Sequence, residues 1–226
     1  MKKPSIVSRT GFLPALMLII LAAVSCSRPG IDADVAMDYA EIVTYEGMRD
    51  GKSVFTFRKV DDSPLITLTS RQTFDEDIAP GTRMLIGYTN STNESFVSGP
   101  VDLYMARRIT QSAAVTTWED VYDLWDIDPV WLNSMWRSGE YINLRVRLTY
   151  TTEPRLFALV LEPRTAQTEW PTFYVAHVMT EYPDYHDREY YASFDISEFR
   201  AKEGIKGVRV VINDTNIGKQ IFTFPF

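Results

Sequence analysis

The sequence predicts an all-β protein in two sheet-built halves: a small barrel or sandwich first, an antiparallel β-sandwich second. Three observations support this. Apolar residues recur at period two, most clearly where Ile142, Leu144, Val146, Leu148 and Tyr150 alternate with Asn143, Arg145, Arg147 and Thr149. That spacing puts one face of a strand in a core and the other in water. Turn residues punctuate the chain at short intervals, and no long helix interrupts the first half.

In the first half the expected strands are Tyr39–Tyr45, Ser53–Val60, Pro64–Thr69, Arg83–Thr89 and Val101–Ile109. Phe55 and Phe57 share a face, as do Met84, Ile86 and Tyr88, and Val101, Leu103 and Met105. Between them lie Gly47 and Gly51, Asp61-Asp62-Ser63-Pro64, Pro80-Gly81, Asn90 to Asn93 and Gly99-Pro100. Five short strands with such turns suit a small closed or sandwiched sheet.

The stretch Thr117–Gly139 differs, with Trp118, Trp125, Trp131 and Trp136 and five acidic residues. Asp128-Pro129 predicts a helix start, Asp as cap and Pro in the first turn. Val130 to Arg137 then reads as two helical turns closed by Gly139, with the junction of the halves just before this stretch. Beyond it, Leu156–Leu161 is apolar throughout and predicts a central strand. Thr172–Met179, Tyr190–Ile196, Gly207–Ile212 and Gln220–Phe226 follow, with a helical turn over Ser197–Glu203 closed by Gly204 and a turn at Asn213–Gly218. Six such strands make a sandwich.

The amino terminus predicts export. Lys2, Lys3 and Arg9 precede an apolar run from Phe12 to Val24, the length of a signal-peptide core. Ala22, Ala23, Val24 and Ser25 lead into Cys26 in the pattern of a bacterial lipobox, although Ala23 stands where Leu is more usual. Cys26 is the only cysteine, so there is no internal disulfide framework, and lipidation gives the thiol a role. Two or more acyl chains, such as palmitate, anchor stably at ~0.8 kcal/mol per buried CH₂. Residues 1–25 are then a lipoprotein signal peptide and 26–36 a tether. Ser27 after the cysteine permits sorting to the outer membrane, facing periplasm or surface. The net charge of −7 becomes −10 once Lys2, Lys3 and Arg9 are removed. An acidic surface repels phosphates, so nucleic acid is not an expected partner.

No nucleophile motif, phosphate loop or dinucleotide fingerprint appears, so no catalytic residue and no cofactor is expected. His177 and His186 lack further ligands at metal spacing, which speaks against zinc. Asp75-Glu76-Asp77 and Asp123, Asp126 and Asp128 lack EF-hand spacing and read as solvated acids, so no metal is expected. A hydrolase would need two carboxylates facing across a cleft. Trp118, Trp125, Trp131 and Trp136 are the candidate binding face for a sugar or peptide, against the plainer reading that they fill a seam between domains. The closing aromatics Phe222, Phe224 and Phe226 do not make a membrane barrel, because Leu156–Leu161 is apolar on both faces.

Several segments together resemble the NigD-like lipoproteins. They are the lipobox, Phe55-Thr-Phe57, Asp61-Asp62, Pro80-Gly-Thr-Arg-Met-Leu-Ile-Gly-Tyr88, Trp136-Arg-Ser-Gly-Glu-Tyr-Ile-Asn-Leu144, Ser193-Phe-Asp-Ile-Ser197 and Val208-Arg-Val-Val-Ile-Asn213. The resemblance implies an OB-type barrel over 37–115 and a β-sandwich over 116–226. It also implies a lipid-anchored, non-enzymatic protein that binds a macromolecule. The family name is tied to bacteriocin immunity because a founding member lies beside a bacteriocin gene, so a protein toxin is the partner it suggests. A glycan is the alternative. The family supplies no catalytic residues.

Overall fold

The computed structural model describes residues 37–74, 78–90, 97–114, 129–150, 156–178 and 186–226. Among them strands dominate, and no helix is long and apolar enough to cross a membrane.

The first half is a sheet that closes on itself. Strand β1 (Met37–Arg49) is long enough to pair with two partners in succession. Its first part runs antiparallel to β4 (Arg83–Asn90), from Met37↔Asn90 to Thr44↔Arg83. Its last part runs antiparallel to β2 (Lys52–Phe57), from Thr44↔Thr56 to Arg49↔Lys52. The register shifts between Tyr45 and Gly47, where Gly47 has φ +89°, and a bulge there bends the strand. Strand β3 (Ile66–Ser70) pairs with β2. The last barrel strand is broken at Val101 into β5 (Gly99–Pro100) and β6 (Asp102–Arg108). β6 pairs antiparallel with β4, while β5 pairs parallel with β3 through Leu68↔Gly99. One continuous stretch thus touches both edges, which is the closure of a five-stranded OB-type barrel. Its interior holds Val43, Phe55, Leu68, Met84 and Ile86, of which the alternating pattern selects Phe55, Met84 and Ile86.

A single residue, Ile109, separates β6 from β7 (Thr110–Ala113), the first strand of the sandwich. The sandwich sheets have the orders β7-β12-β9-β8 and β10-β11-β13-β14. The remaining strands are β8 (Trp131–Ser138), β9 (Tyr141–Thr149), β10 (Leu156–Leu161), β11 (Thr172–Val178), β12 (Asp187–Asp195), β13 (Gly207–Asp214) and β14 (Gly218–Pro225). Pairing is antiparallel except for β7 with β12 and β11 with β13. The core packs Ile142, Leu144 and Val146 of β9 and Phe194 of β12 with Leu159, Phe173, Val208 and Val210 of the facing sheet.

Two expectations are corrected. Val130 to Arg137 is not a helix; Trp131–Ser138 is strand β8, paired with β9 from Trp131↔Arg147 to Ser138↔Tyr141. The register shifts between Leu132 and Ser134, so one extra residue interrupts the period of two. The shift leaves Leu132, Met135 and Trp136 at helix-like spacing, and the ladder to β9 overrides local propensity. Asp128, the expected cap, lies outside the described residues. Leu156–Leu161 is a strand, but it occupies the edge of its sheet, not the centre. Its apolar character records burial on both faces, since Phe157 to Leu161 are all buried.

The expected helical turn is α1 (Ser197–Arg200), which buries Phe199 edge-on against Phe173 at 4.8 Å. The Asn213–Gly218 turn forms around Asp214. Its Oδ1 accepts from the Asn216 N–H at 2.7 Å, and its Oδ2 accepts from the Leu132 N–H at 3.0 Å. Gly207, at the start of β13, has no room for a side chain. A Cβ there would lie 2.4 Å from both the Phe224 carbonyl oxygen and the Trp170 ring. Because one neighbour is backbone, Gly207→Ala is expected to cost about 1–2 kcal/mol, read as a lower urea midpoint at unchanged slope.

Candidate functional site

The barrel docks on the outer face of the β7-β12-β9-β8 sheet, and two buried arginines make the joint. Arg83 opens β4 and is 1% exposed. Its Nε donates to Ser193 Oγ at 2.9 Å, one terminal nitrogen donates to Thr44 Oγ1 at 2.9 Å, and the other to Asn143 Oδ1 at 3.0 Å. Ser193 Oγ donates to the same Asn143 oxygen at 2.8 Å. The guanidinium lies 4.2 Å from the Tyr141 ring centroid. Gln111 of β7 accepts from the Arg83 backbone N–H at 2.8 Å and donates to the Gly81 carbonyl at 3.2 Å. Burial pushes the Arg83 pKa down to about 10, so it remains a cation at neutral pH. Burial likewise raises the Tyr141 phenol, and the nearby Arg83 opposes that shift.

Arg137, near the end of β8, forms the second joint and is 3% exposed. It grips Asp62, from the loop after β2, with two parallel bonds of 3.2 and 2.9 Å. Arg200 of α1 donates to the same carboxylate at 2.8 Å, and both arginines donate to the Gly139 carbonyl. The backbones interlock beside them: Asp61 N–H bonds to the Arg137 carbonyl at 2.8 Å, and Gly139 N–H to the Asp61 carbonyl at 2.7 Å. Hydrogen bonds from Arg137 and then Arg200 hold the Asp62 carboxyl well below the ordinary carboxylate range.

Between these joints lies a cleft of about 430 Å³. Glu46, Arg58 and Leu65 of the barrel face Glu140, Tyr141 and Arg200 of the sandwich side across it. Both carboxylates, Glu140 and Glu46, act to raise the Tyr141 phenol. Thr56 Oγ1 donates to Glu46 at 2.6 Å, and Ser138 Oγ donates to the Arg58 carbonyl at 2.5 Å. No histidine lines the cleft, and its serine hydroxyl is committed to a backbone acceptor. The arrangement offers fixed charges of both signs for binding a polar group.

Cys26, Trp118 and Trp125 lie outside the described residues, as do Asp75-Glu76-Asp77 and Asp123, Asp126 and Asp128. The structure brings Trp131 and Trp136 onto one face of β8, opposite Arg147 and Asn143 of β9. Trp136 is partly buried and Trp131 is 47% exposed. His177 is buried in β11 and stacks on Phe157 at 5.7 Å, while His186 stacks on Tyr150 at 4.9 Å just before β12. Among the described residues no group of three metal-ligating side chains occurs. Sequence reading did not single out Arg83 or Arg137 as functional. The one signal was that both sit inside segments carrying the family resemblance.

These features define a class: an OB-type barrel clamped rigidly to a β-sandwich by buried arginines, with a mixed-charge cleft at the seam. Solved structures share the fold. A Bacteroides vulgatus protein of unknown function aligns over 84% of this chain and 91% of its own at 16% identity, TM-score 0.66. A NigD-like immunity protein from Bacteroides caccae aligns over 83% and 96% at 17% identity, TM-score 0.59. A Bacteroides fragilis protein provisionally described as a lipoprotein aligns over 84% and 98% at 12% identity, TM-score 0.59. At these identities the likeness is one of fold. No family model and no curated protein sequence matches the chain.

Proposed function

We propose that this chain is a NigD-like lipoprotein of the bacterial envelope, anchored through Cys26, probing its surroundings as a non-enzymatic binding protein of the immunity type. The observation that carries the reading is the fold shared with a NigD-like immunity protein over 96% of that protein's length. Fold alone does not set function, but other features agree with the reading. The lipobox accounts for a lone cysteine, and the B. fragilis neighbour is provisionally described as a lipoprotein. The two halves form a preorganised surface, which lowers the ordering cost of binding a large partner. In this scheme the barrel domain ends with β6, the sandwich domain begins with β7, and the anchor sits in the outer membrane.

Two experiments test it. Mass spectrometry of the membrane-extracted protein is expected to find a diacylglyceryl-modified amino terminus at Cys26, and Cys26→Ser to release the protein from membranes. An unprocessed terminus removes the anchor from the scheme. Deleting the gene and exposing cells to culture fluid from neighbouring strains is expected to raise sensitivity to at least one secreted protein toxin. Unchanged sensitivity across a broad panel overturns the immunity role.

A further inference from the structure

We propose that the solvent-facing half of the β7-β12-β9-β8 sheet is a binding platform for an acidic glycan, with Trp131 as its stacking ring. The pairing of β8, β9 and β12 aligns two cross-strand rows on this face. The first is Trp131, Arg147 and Glu189; the second is Ser134, Arg145 and Tyr191. Neighbouring strands lie roughly 4.8 Å apart, so the groups of a row are spaced on the scale of a sugar ring. Trp131 is 47% exposed, with the Arg147 guanidinium 5.9 Å from its ring centroid. Arg147 is itself steadied by Asp187, with Nε 3.1 Å from Oδ2. Arg145 is held by Glu189 at 2.5 Å, and Tyr191 donates to the other Glu189 oxygen at 2.9 Å.

The platform runs on into a groove of about 150 Å³ where β6 of the barrel meets β12. Arg107, Arg108 and Arg188 line it, together with the same Glu189 and Tyr191. Platform and groove together set four arginines, Arg107, Arg108, Arg145 and Arg147, against two carboxylates, Asp187 and Glu189, while the Arg188 guanidinium stacks on Tyr150 from the opposite face of β12. On a chain of net charge −7 this is a positive island, and it selects an anion.

The chemistry of the face selects the kind of anion. A protein interface is built around an apolar core with a polar rim. Here one exposed ring stands among charges. A pyranose ring lays its apolar C–H face on the indole and turns its carboxylate or sulfate to the guanidinium forks beside it. The groups sit on strands and are locked by neighbours, so a flexible polysaccharide meets a rigid template. This site stands apart from the junction cleft and from the immunity reading, so it holds if that reading fails.

The test is titration of the full-length chain in detergent micelles with polygalacturonate, chondroitin sulfate, neutral amylose, polyglutamate and single-stranded DNA. Acidic polysaccharides are expected to bind at least about tenfold more tightly than the other three. Trp131→Ala is expected to weaken that binding by about tenfold or more, and Arg147→Gln to weaken it and flatten its salt dependence. Both side chains are half exposed, and Arg147→Gln carries the test if Trp131→Ala fails to fold. The proposal is overturned if no acidic polysaccharide binds, if polyglutamate or DNA binds equally well, or if both variants bind like the wild type.

Discussion

Replacing Arg83 by methionine is expected to lower the unfolding free energy by about 3–4 kcal/mol, or roughly 10 °C in Tm for a domain pair of this size. Methionine fills much of the same space and relieves the desolvation of a buried cation. A buried charge replaced by a good apolar fit can be neutral. The deciding term here is what surrounds the site. Thr44 Oγ1, Ser193 Oγ and Asn143 Oδ1 all accept from the guanidinium, and none is apolar. Methionine returns no donor, so Thr44 Oγ1 and Ser193 Oγ lose the donor they accept from, and Asn143 Oδ1 keeps only its bond from Ser193. Arg83→Lys is expected to recover less than half, because one ammonium cannot span three acceptors on three strands or cover the Tyr141 ring. Urea denaturation followed by tryptophan fluorescence and far-ultraviolet circular dichroism checks both variants. A loss below about 1 kcal/mol for Arg83→Met would show that the joint is held elsewhere.

Asp62→Ala is the second large effect, expected at about 2–3 kcal/mol near neutral pH. Removing one partner of a buried pair strands the other charge, at about 3–5 kcal/mol when both are buried. Arg137 is buried but the Asp62 side chain is 50% exposed, so solvent screening reduces the figure. The pH dependence follows from the direction of the shift. In the unfolded chain the Asp62 carboxyl titrates near the ordinary value of about 3.9. In the folded chain the arginines hold it well below that. The stabilisation is therefore fully present above the unfolded value and is lost as pH falls through the folded one. The stability gap between wild type and Asp62→Ala should stay level from about pH 8 to pH 5 and close only in strong acid. A gap that closes between pH 6 and 5 would assign the contact to some other group.

Much of the architecture was legible in the sequence because a half-buried sheet imposes a period of two. Phe55 and Phe57, Met84, Ile86 and Tyr88, and Ile142, Leu144, Val146 and Leu148 of β9 are buried as read, whereas Tyr150 is only partly buried and Asn143, expected on the wet face, is sealed under the barrel. The misread segment failed for a physical reason: the extra residue at Asn133 erased the alternation in β8. Burial was read correctly for Leu156–Leu161 but neighbours were not, since apolar composition reports both faces of a strand and says nothing of its edges. The junction was illegible as chemistry. Arg83 and Arg145 both occupy alternating strands, yet one is sealed under a second domain and the other is half exposed. Only tertiary docking distinguishes them. The resembling segments converge there: Asp61-Asp62, Arg83, Arg137, Tyr141, Asn143 and Ser193 all sit in the two joints.

The passage from β6 to β7 through Ile109 alone has a mechanical meaning. With one residue of connecting chain and an arginine rivet on either side of the cleft, the lobes have no pivot. They should tumble in solution with a single rotational correlation time, and domain-specific relaxation rates in nuclear magnetic resonance should coincide. A partner that seizes one lobe therefore drags the other with it.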